Sequence, residues 1–348
     1  MKKIVFLTAL CLIALVGTAN SFRKGGDRDY RYEQQKVVER TFQVSENPIL
    51  EMSGKYSDFI ITSWDERQID FKVRIIVKGD DAKTVEAKFN SIDVNFECEN
   101  NKVQASTVFG NFPYKVFTGT VTIKYYVKVP EDVFMELTAK YGDITVDKAN
   151  KRFEANLKYG DLTADNLMDF SEIDVKYGDI NINNAQKIRL ELDYGDAKIN
   201  KCAELKGELD YSKLSVKELG KGNLNLRYSS AKIENACDVT FNRVAYSDVK
   251  LSQVTGQLDA DMQYSDLKAT VTSEQPSVEI NSQYSDALLH LNESASFDYS
   301  LKSSYGEITF KGFFEDENIP SKGRYGTGEP GHLNISIQYG HAKILKNK

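Results

Sequence analysis

The chain has 348 residues, 41% of them hydrophobic and 28% charged, with a formal net charge of −6. That is the composition of a folded protein rather than a disordered one, and the length suits one large domain or two modest ones. Charges of both signs are spread along the chain, which excludes the basic patch that a dedicated nucleic-acid binder needs.

Taken in chain order, residues 1–19 predict an export signal. Lys2 and Lys3 precede a run from Ile4 to Val16 that only Thr8 interrupts, and Gly17-Thr18-Ala19 supplies small residues before a cut. The thirteen residues of that run are too few for a stable membrane anchor, and no later segment is long and apolar enough to cross, so no membrane span is expected in the mature chain. Cys11 lies inside the apolar run after Leu10, not after a small residue, so lipid modification there is set aside. Cys98, Cys202 and Cys237 remain after cleavage. An odd count is not a full disulfide framework, and all three are expected as small buried apolar side chains.

Residues 20–35 are polar and read as a flexible leader. From 36 to 138 strand patterns recur without a fixed period; "QIDFKVRIIV" and "GTVTIKYYVKV" alternate clearly. Between them, Asp80 and Asp81 precede Ala82, Val85, Phe89 and Ile92, a spacing that predicts one short helix. The region is expected to be an irregular β-rich cap that protects a strand edge. Trp64, in "ITSWDERQIDF", is expected to pack within it.

From 139 to 348 the chain repeats. Tyrosine followed by Gly or Ser occurs at Tyr141, Tyr159, Tyr177, Tyr194, Tyr211, Tyr228, Tyr246, Tyr264, Tyr284, Tyr305 and Tyr339, with Tyr56 as an outlying copy. The first eight intervals are 18, 18, 17, 17, 17, 18, 18 and 20 residues. So short and regular a period means stacked units. Within each unit apolar residues alternate, as in Ile180, Ile182 and then Ile188, Leu190, Leu192, which is the period of a strand. Leu192 to Ala197 breaks that parity across Tyr194, which predicts a corner at the tyrosine. A circuit of roughly 18 residues at about 3.3 Å each is about 60 Å, one coil of a solenoid whose coils lie about 4.8 Å apart. The expected fold is all-β: a single-stranded parallel β-solenoid, read as a right-handed β-helix, with the irregular cap at its N-terminal end. Residues 311–332 ("KGFFEDENIPSKGRYGTGEPGH") leave the spacing and are expected to shield the last edge or to form a binding loop.

Three columns follow from this register. The residue after each tyrosine is Gly or Ser, as expected if stacked corners approach closely. The next is mostly acidic, beginning with Asp143, Asp161 and Asp179, and is expected to cap turn N–H groups, with calcium binding or catalysis as sharper alternatives. The residue before the tyrosine is Lys140, Lys158 and Lys176 in the first coils, where the aspartates can offset their repulsion. These lysines and aspartates, with Tyr211 and Tyr228, form a candidate binding strip. The tyrosines share parity with Leu190 and Leu192, so an inward structural ladder is expected, against an outward platform for stacking on sugars. His290, His332 and His341 show no metal-ligand spacing, and no cofactor is expected.

The run "KYSDFIITSWDERQIDFKV", the "YYVKVP" segment, the YGD and YSD strands and the ending "GTGEPGHLNISIQYGHAKI" resemble the putative-adhesin β-solenoid family of exported bacterial proteins, over about 36–348. The resemblance implies fold more than activity and brings no catalytic residues. The expected function is therefore non-catalytic binding of envelope material, a surface glycan or a cell-envelope protein, in the periplasm or at the cell surface. The alternatives are a polysaccharide-acting enzyme of the β-helix type and a periplasmic structural or signalling component.

Overall fold

The structure is a computed structural model that describes residues 29–315 and 319–347. The expected export signal at 1–19 and residues 20–28 of the expected leader lie outside the described residues. Twenty-five strands and one helix are present among the described residues. Two compact units divide the chain, 1–162 and 163–348.

In residues 1–162 the strand Tyr32–Gln43 takes up the last residues of the expected leader and pairs antiparallel with Gln68–Gly79. Gln68–Gly79 pairs antiparallel in turn with Gly119–Pro130. These are the two alternating segments that stood out in the sequence. The helix Ala82–Asn90 starts directly after Asp81, whose side chain accepts the Thr84 N–H at 2.8 Å and satisfies one of the open donors of the first turn. Trp64 is half-buried; its Nε1 donates to the Gln68 carbonyl at 3.0 Å.

Tyr56 is not an outlier. Ile49–Lys55 and Ser57–Trp64 form the two arms of a first coil, with Tyr56 at its corner. On one side they pair in parallel with Phe134–Lys140 and Ile144–Ala149. On the other they pair in parallel with Lys102–Phe109 and Gly119–Pro130. The chain thus lays one coil, leaves to build the cap, and returns at 134.

In residues 163–348 successive coils pair in parallel and in register. Ile180–Asp193, Asp196–Asp210, Lys213–Arg227 and Ser230–Ala245 each run unbroken between tyrosine corners. In mid-repeat a pair of bends leaves the register intact. Two outward residues in a row stand on each side of Ala185, the one inward residue between the bends. Cys202 falls between Ala185 and Leu219 in the same inward column and is buried. Burial pushes its thiol up to about 12. Cys98 and Cys237, in contrast, are exposed. Both were expected in the core; each stands at an outward position of its strand.

The last coils do not follow chain order. Ser277–Gln283 pairs with Gly331–Gln338, and Gly331–Gln338 pairs with Phe297–Ser304. The final coil is thus inserted between its two predecessors. The excursion shields what remains: Lys322–Tyr325 pairs antiparallel with Phe297–Ser304. Phe313 and Tyr325 close on Phe297 with ring centroids 5.8 and 5.5 Å away.

Candidate functional site

Every repeat tyrosine, with Tyr56, has a positive φ of 50–60°. The left-handed residue is therefore the tyrosine and not its glycine neighbour. That one dihedral produces the parity break, because it turns a side chain due to point inward out to the surface. The rings are 39–50% exposed, and Tyr305 is 83% exposed. The inward ladder expected from parity is thus corrected to an outward one.

The rings stack on each other. In residues 1–162, Tyr56, Tyr141 and Tyr159 stack at 5.2 and 5.0 Å between centroids. In residues 163–348, Tyr177, Tyr194, Tyr211, Tyr228, Tyr246, Tyr264 and Tyr284 follow in chain order at 4.9–5.0 Å. Tyr339 then stacks on Tyr284 at 4.8 Å, and Tyr305 stacks last, on Tyr339, at 5.0 Å. Ring planes in this series lie within 10° of parallel. Each inner ring has both faces taken by its neighbours, so the surface presents edges and phenol hydroxyls. A flat platform for stacking on sugar faces is not formed.

Behind the rings are two kinds of corner. In glycine corners a Cβ added at Gly142, Gly160 or Gly195 would stand 2.0–2.2 Å from a carbonyl oxygen of the adjacent coil. Close approach explains these positions, as expected. The following acid accepts a backbone N–H from the next coil rather than from its own turn: Asp161 N to Asp143 Oδ1 at 2.9 Å, and Asp196 N to Asp179 Oδ1 at 2.9 Å. Serine corners work differently. The Ser229 hydroxyl donates to the Arg227 carbonyl at 2.8 Å and accepts the Ser212 N–H at 3.0 Å. Ser247 and Ser265 repeat the pattern. There the Asp266 N–H goes to the Ser247 carbonyl at 3.2 Å; where a glycine corner stacks on a serine one, Asp58 and Asp286 still accept the N–H groups of Asp143 and His341 at 3.2 and 2.8 Å. Serine is present for its hydroxyl, not only because it is small.

Asp143 and Asp179 accept backbone N–H groups of the next coil, and the lysines before the tyrosines have partners of their own. Lys140 Nζ lies 5.3 Å from the Tyr141 ring centroid and Lys158 Nζ 5.6 Å from that of Tyr159, in cation–π geometry. Lys176 pairs with Asp193 of the next coil at 3.1 Å, and this hydrogen bond holds its ammonium above the usual lysine range. Arg227 Nε donates to Asp210 at 2.9 Å in the same column.

Alongside the ladder runs a groove of about 570 Å³, with Tyr194, Tyr211, Tyr228 and Tyr246 on one side and Asp196, Lys213, Ser230 and Asp248 on the other. Its floor is the Gly/Ser column. Tyr211 and Tyr228 of the candidate strip lie at its centre. Among the described residues no group of three or more His, Cys, Asp or Glu is placed to hold a metal ion. Nor is any helix there long and apolar enough to cross a membrane.

No curated protein matches the chain. Several solved structures resemble it at low identity. A "putative lipid binding protein" from Parabacteroides distasonis is 11% identical, with 90% of this chain and 97% of that one covered and a TM-score of 0.33. A "putative adhesin" from Bacteroides fragilis is 10% identical, with 90% and 97% covered and a TM-score of 0.28. A "putative cell adhesion protein" from Clostridium sporogenes is 11% identical, with 90% and 100% covered and a TM-score of 0.20. Residues 218–342, which carry the corners from Tyr228 to Tyr339, match the family model described as Toastrack DUF4097.

Proposed function

We propose that the chain is a non-catalytic, exported, adhesin-like β-solenoid that binds a linear polar polymer, a surface glycan or other envelope material, along its tyrosine corner. The groove beside Tyr194–Tyr246 carries this reading. It offers a phenol edge on one wall and a carboxylate, ammonium or hydroxyl on the other, renewed at every coil. Such a site suits a ligand that repeats its own hydroxyls, recognised by hydrogen bonds rather than by ring-face stacking. Lys140, Lys158, Asp143 and Asp161 flank the three-ring stack in the same way, and Lys176 and Asp179 flank Tyr177. Catalysis needs one position unlike its neighbours, with two carboxylates in contrasting environments. A column that repeats the same acid does not favour it.

The test is a glycan array followed by titration of the best ligand. Tyr211→Phe with Tyr228→Phe keeps the rings and removes two hydroxyls. It is expected to weaken binding about tenfold or more while unfolding stays unchanged, since each lost hydrogen bond is worth about 1 kcal/mol. A ligand held equally well by this variant and by Asp248→Asn would show that the groove is not the site.

A further inference from the structure

In mid-repeat of residues 163–348 opposite charges meet across coils: Lys187 pairs with Glu204 at 2.9 Å and Lys201 with Glu218 at 3.0 Å. Before the tyrosine corner like charges meet over two coils, Arg189 on Lys206, Glu191 on Glu208 and Asp193 on Asp210. On the face that follows the corner like charges stack over three. Lys232, Lys250 and Lys268 are register partners on three successive strands. Asp248, Asp266 and Asp286 are register partners on another three. The aspartate row lies two residues before the lysine row, so both point outward, side by side. Lys250 and Lys268 are exposed and make no ion pair among the described residues.

Two like-charged rows side by side are wasteful in an isolated chain but self-complementary in a pair. A two-fold axis parallel to the stacking direction, running between the rows, sets each coil against the same coil of a second copy with the rows exchanged. Asp196 then faces Lys198 of a second copy, Asp248 faces Lys250, and Asp266 faces Lys268. In the remaining coils a charge meets an uncharged residue: Lys213 faces Ser215, Lys232 faces Ser230 and Asp286 faces Leu288. His341, whose Nδ1 lies 3.2 Å from Asp286 Oδ1, faces Lys343. An axis across the stack would set aspartates on aspartates. We propose that this face joins two copies of the chain side by side, in phase, through exchanged lysine and aspartate rows. Nine stacked strands about 4.8 Å apart and about 20 Å long offer about 800 Å² per copy, the size of a standard interface half. The shallow groove of about 700 Å³ between the rows, from Lys213 to Lys343, gives the facing side chains room to interleave. Such a C2 contact is isologous and closes on itself. It goes beyond the glycan reading and shares only the aspartate row with that groove.

The purified protein is examined by sedimentation velocity at low and high salt. A dimer is expected at low salt that dissociates as salt screens the rows. Lys250→Asp with Lys268→Asp makes both rows acidic, and Asp248→Lys with Asp266→Lys makes both basic. Each variant alone is expected to self-associate about a hundredfold or more weakly. An equimolar mixture is expected to form a heterodimer, because the rows again oppose each other. Lys250→Gln with Lys268→Gln gives an intermediate affinity and serves if a reversal does not fold. A monomeric wild type, a dimer that survives both reversals, or a mixture that stays monomeric would each overturn the proposal.

Discussion

Tyrosine is a costly residue to hold in the left-handed region, where its Cβ crowds the following carbonyl by about 1–2 kcal/mol. Twelve tyrosines do so here. Stacking recovers about 0.5–1.5 kcal/mol per ring pair. The tyrosine N–H is also satisfied across coils, as in Tyr194 N to the Asp210 carbonyl at 3.1 Å. Tyr125 shows the same residue type used the opposite way. It is fully buried, and its hydroxyl lies 2.7 Å from Thr107 Oγ1. Burial pushes its phenol from the ordinary 10.0 up to about 12. The folded state therefore keeps Tyr125 neutral at a pH where the unfolded chain ionises it. Its contribution to stability is whole below about pH 10 and falls as pH rises towards 12, by about 2–3 kcal/mol. Tyr125→Phe is expected to cost about 1 kcal/mol at neutral pH through the lost hydrogen bond. Thr107 would keep its contact with the Ser57 hydroxyl at 2.9 Å. The variant is then expected to lose less stability than wild type between pH 10 and 12 in urea titrations. Curves that fall in parallel over that range would rule Tyr125 out as the group responsible.

The corner is the smallest element with its own chemistry, and its two forms predict different responses to the same substitution. Asp179→Ala removes the acceptor of the Asp196 N–H and is expected to cost about 1 kcal/mol. Asp248→Ala, in a serine corner where the next N–H already reaches the Ser247 carbonyl, is expected to stay within about 0.5 kcal/mol of wild type. Ser229→Ala orphans the Ser212 N–H in a buried corner and is expected to cost about 1–3 kcal/mol. Urea unfolding of the three variants checks the ranking; equal losses at Asp179 and Asp248 would mean that the corners are not distinct. Much of this element was legible in the sequence. The tyrosine spacing gives the coil and its register because parallel strands bring like positions together. The odd step from Leu192 to Ala197 gives the corner. The direction of the rings was not legible, because a glycine beside a turn draws the positive φ to itself, whereas the dihedral belongs to the residue before it. A partial signal for the two corner types was present: Lys213 and Ser230 replace the acid in two corners where serine has replaced glycine, although His341 does so after Gly340.

For the molecule as a whole, the number of coils could be read from the chain but not their order. Tyr305 and Tyr339 carry the same motif, and a motif says that a coil stacks without saying on which neighbour. The pairing of Gly331–Gln338 with both Ser277–Gln283 and Phe297–Ser304 fixes that order, and it can be tested by cross-linking. Asn281 is the register partner of Ser336, and Ser336 is the partner of Lys302. Asn281 and Lys302 are therefore two strand spacings apart, about 9.6 Å. A disulfide needs Cα atoms within about 7 Å. With Cys98 and Cys237 changed to serine, Asn281→Cys with Ser336→Cys is expected to oxidise to a bridge, seen as loss of free thiol and a faster-migrating band. Ser336→Cys with Lys302→Cys is expected to do the same, and Asn281→Cys with Lys302→Cys to stay reduced. A solenoid wound in chain order would reverse the outcome for the first and third pairs, because the coil at 297 would then rest directly on the coil at 277. The inserted order also gives the last coil two neighbours instead of one, so the outermost coil is the one whose edge the Lys322–Tyr325 strand covers.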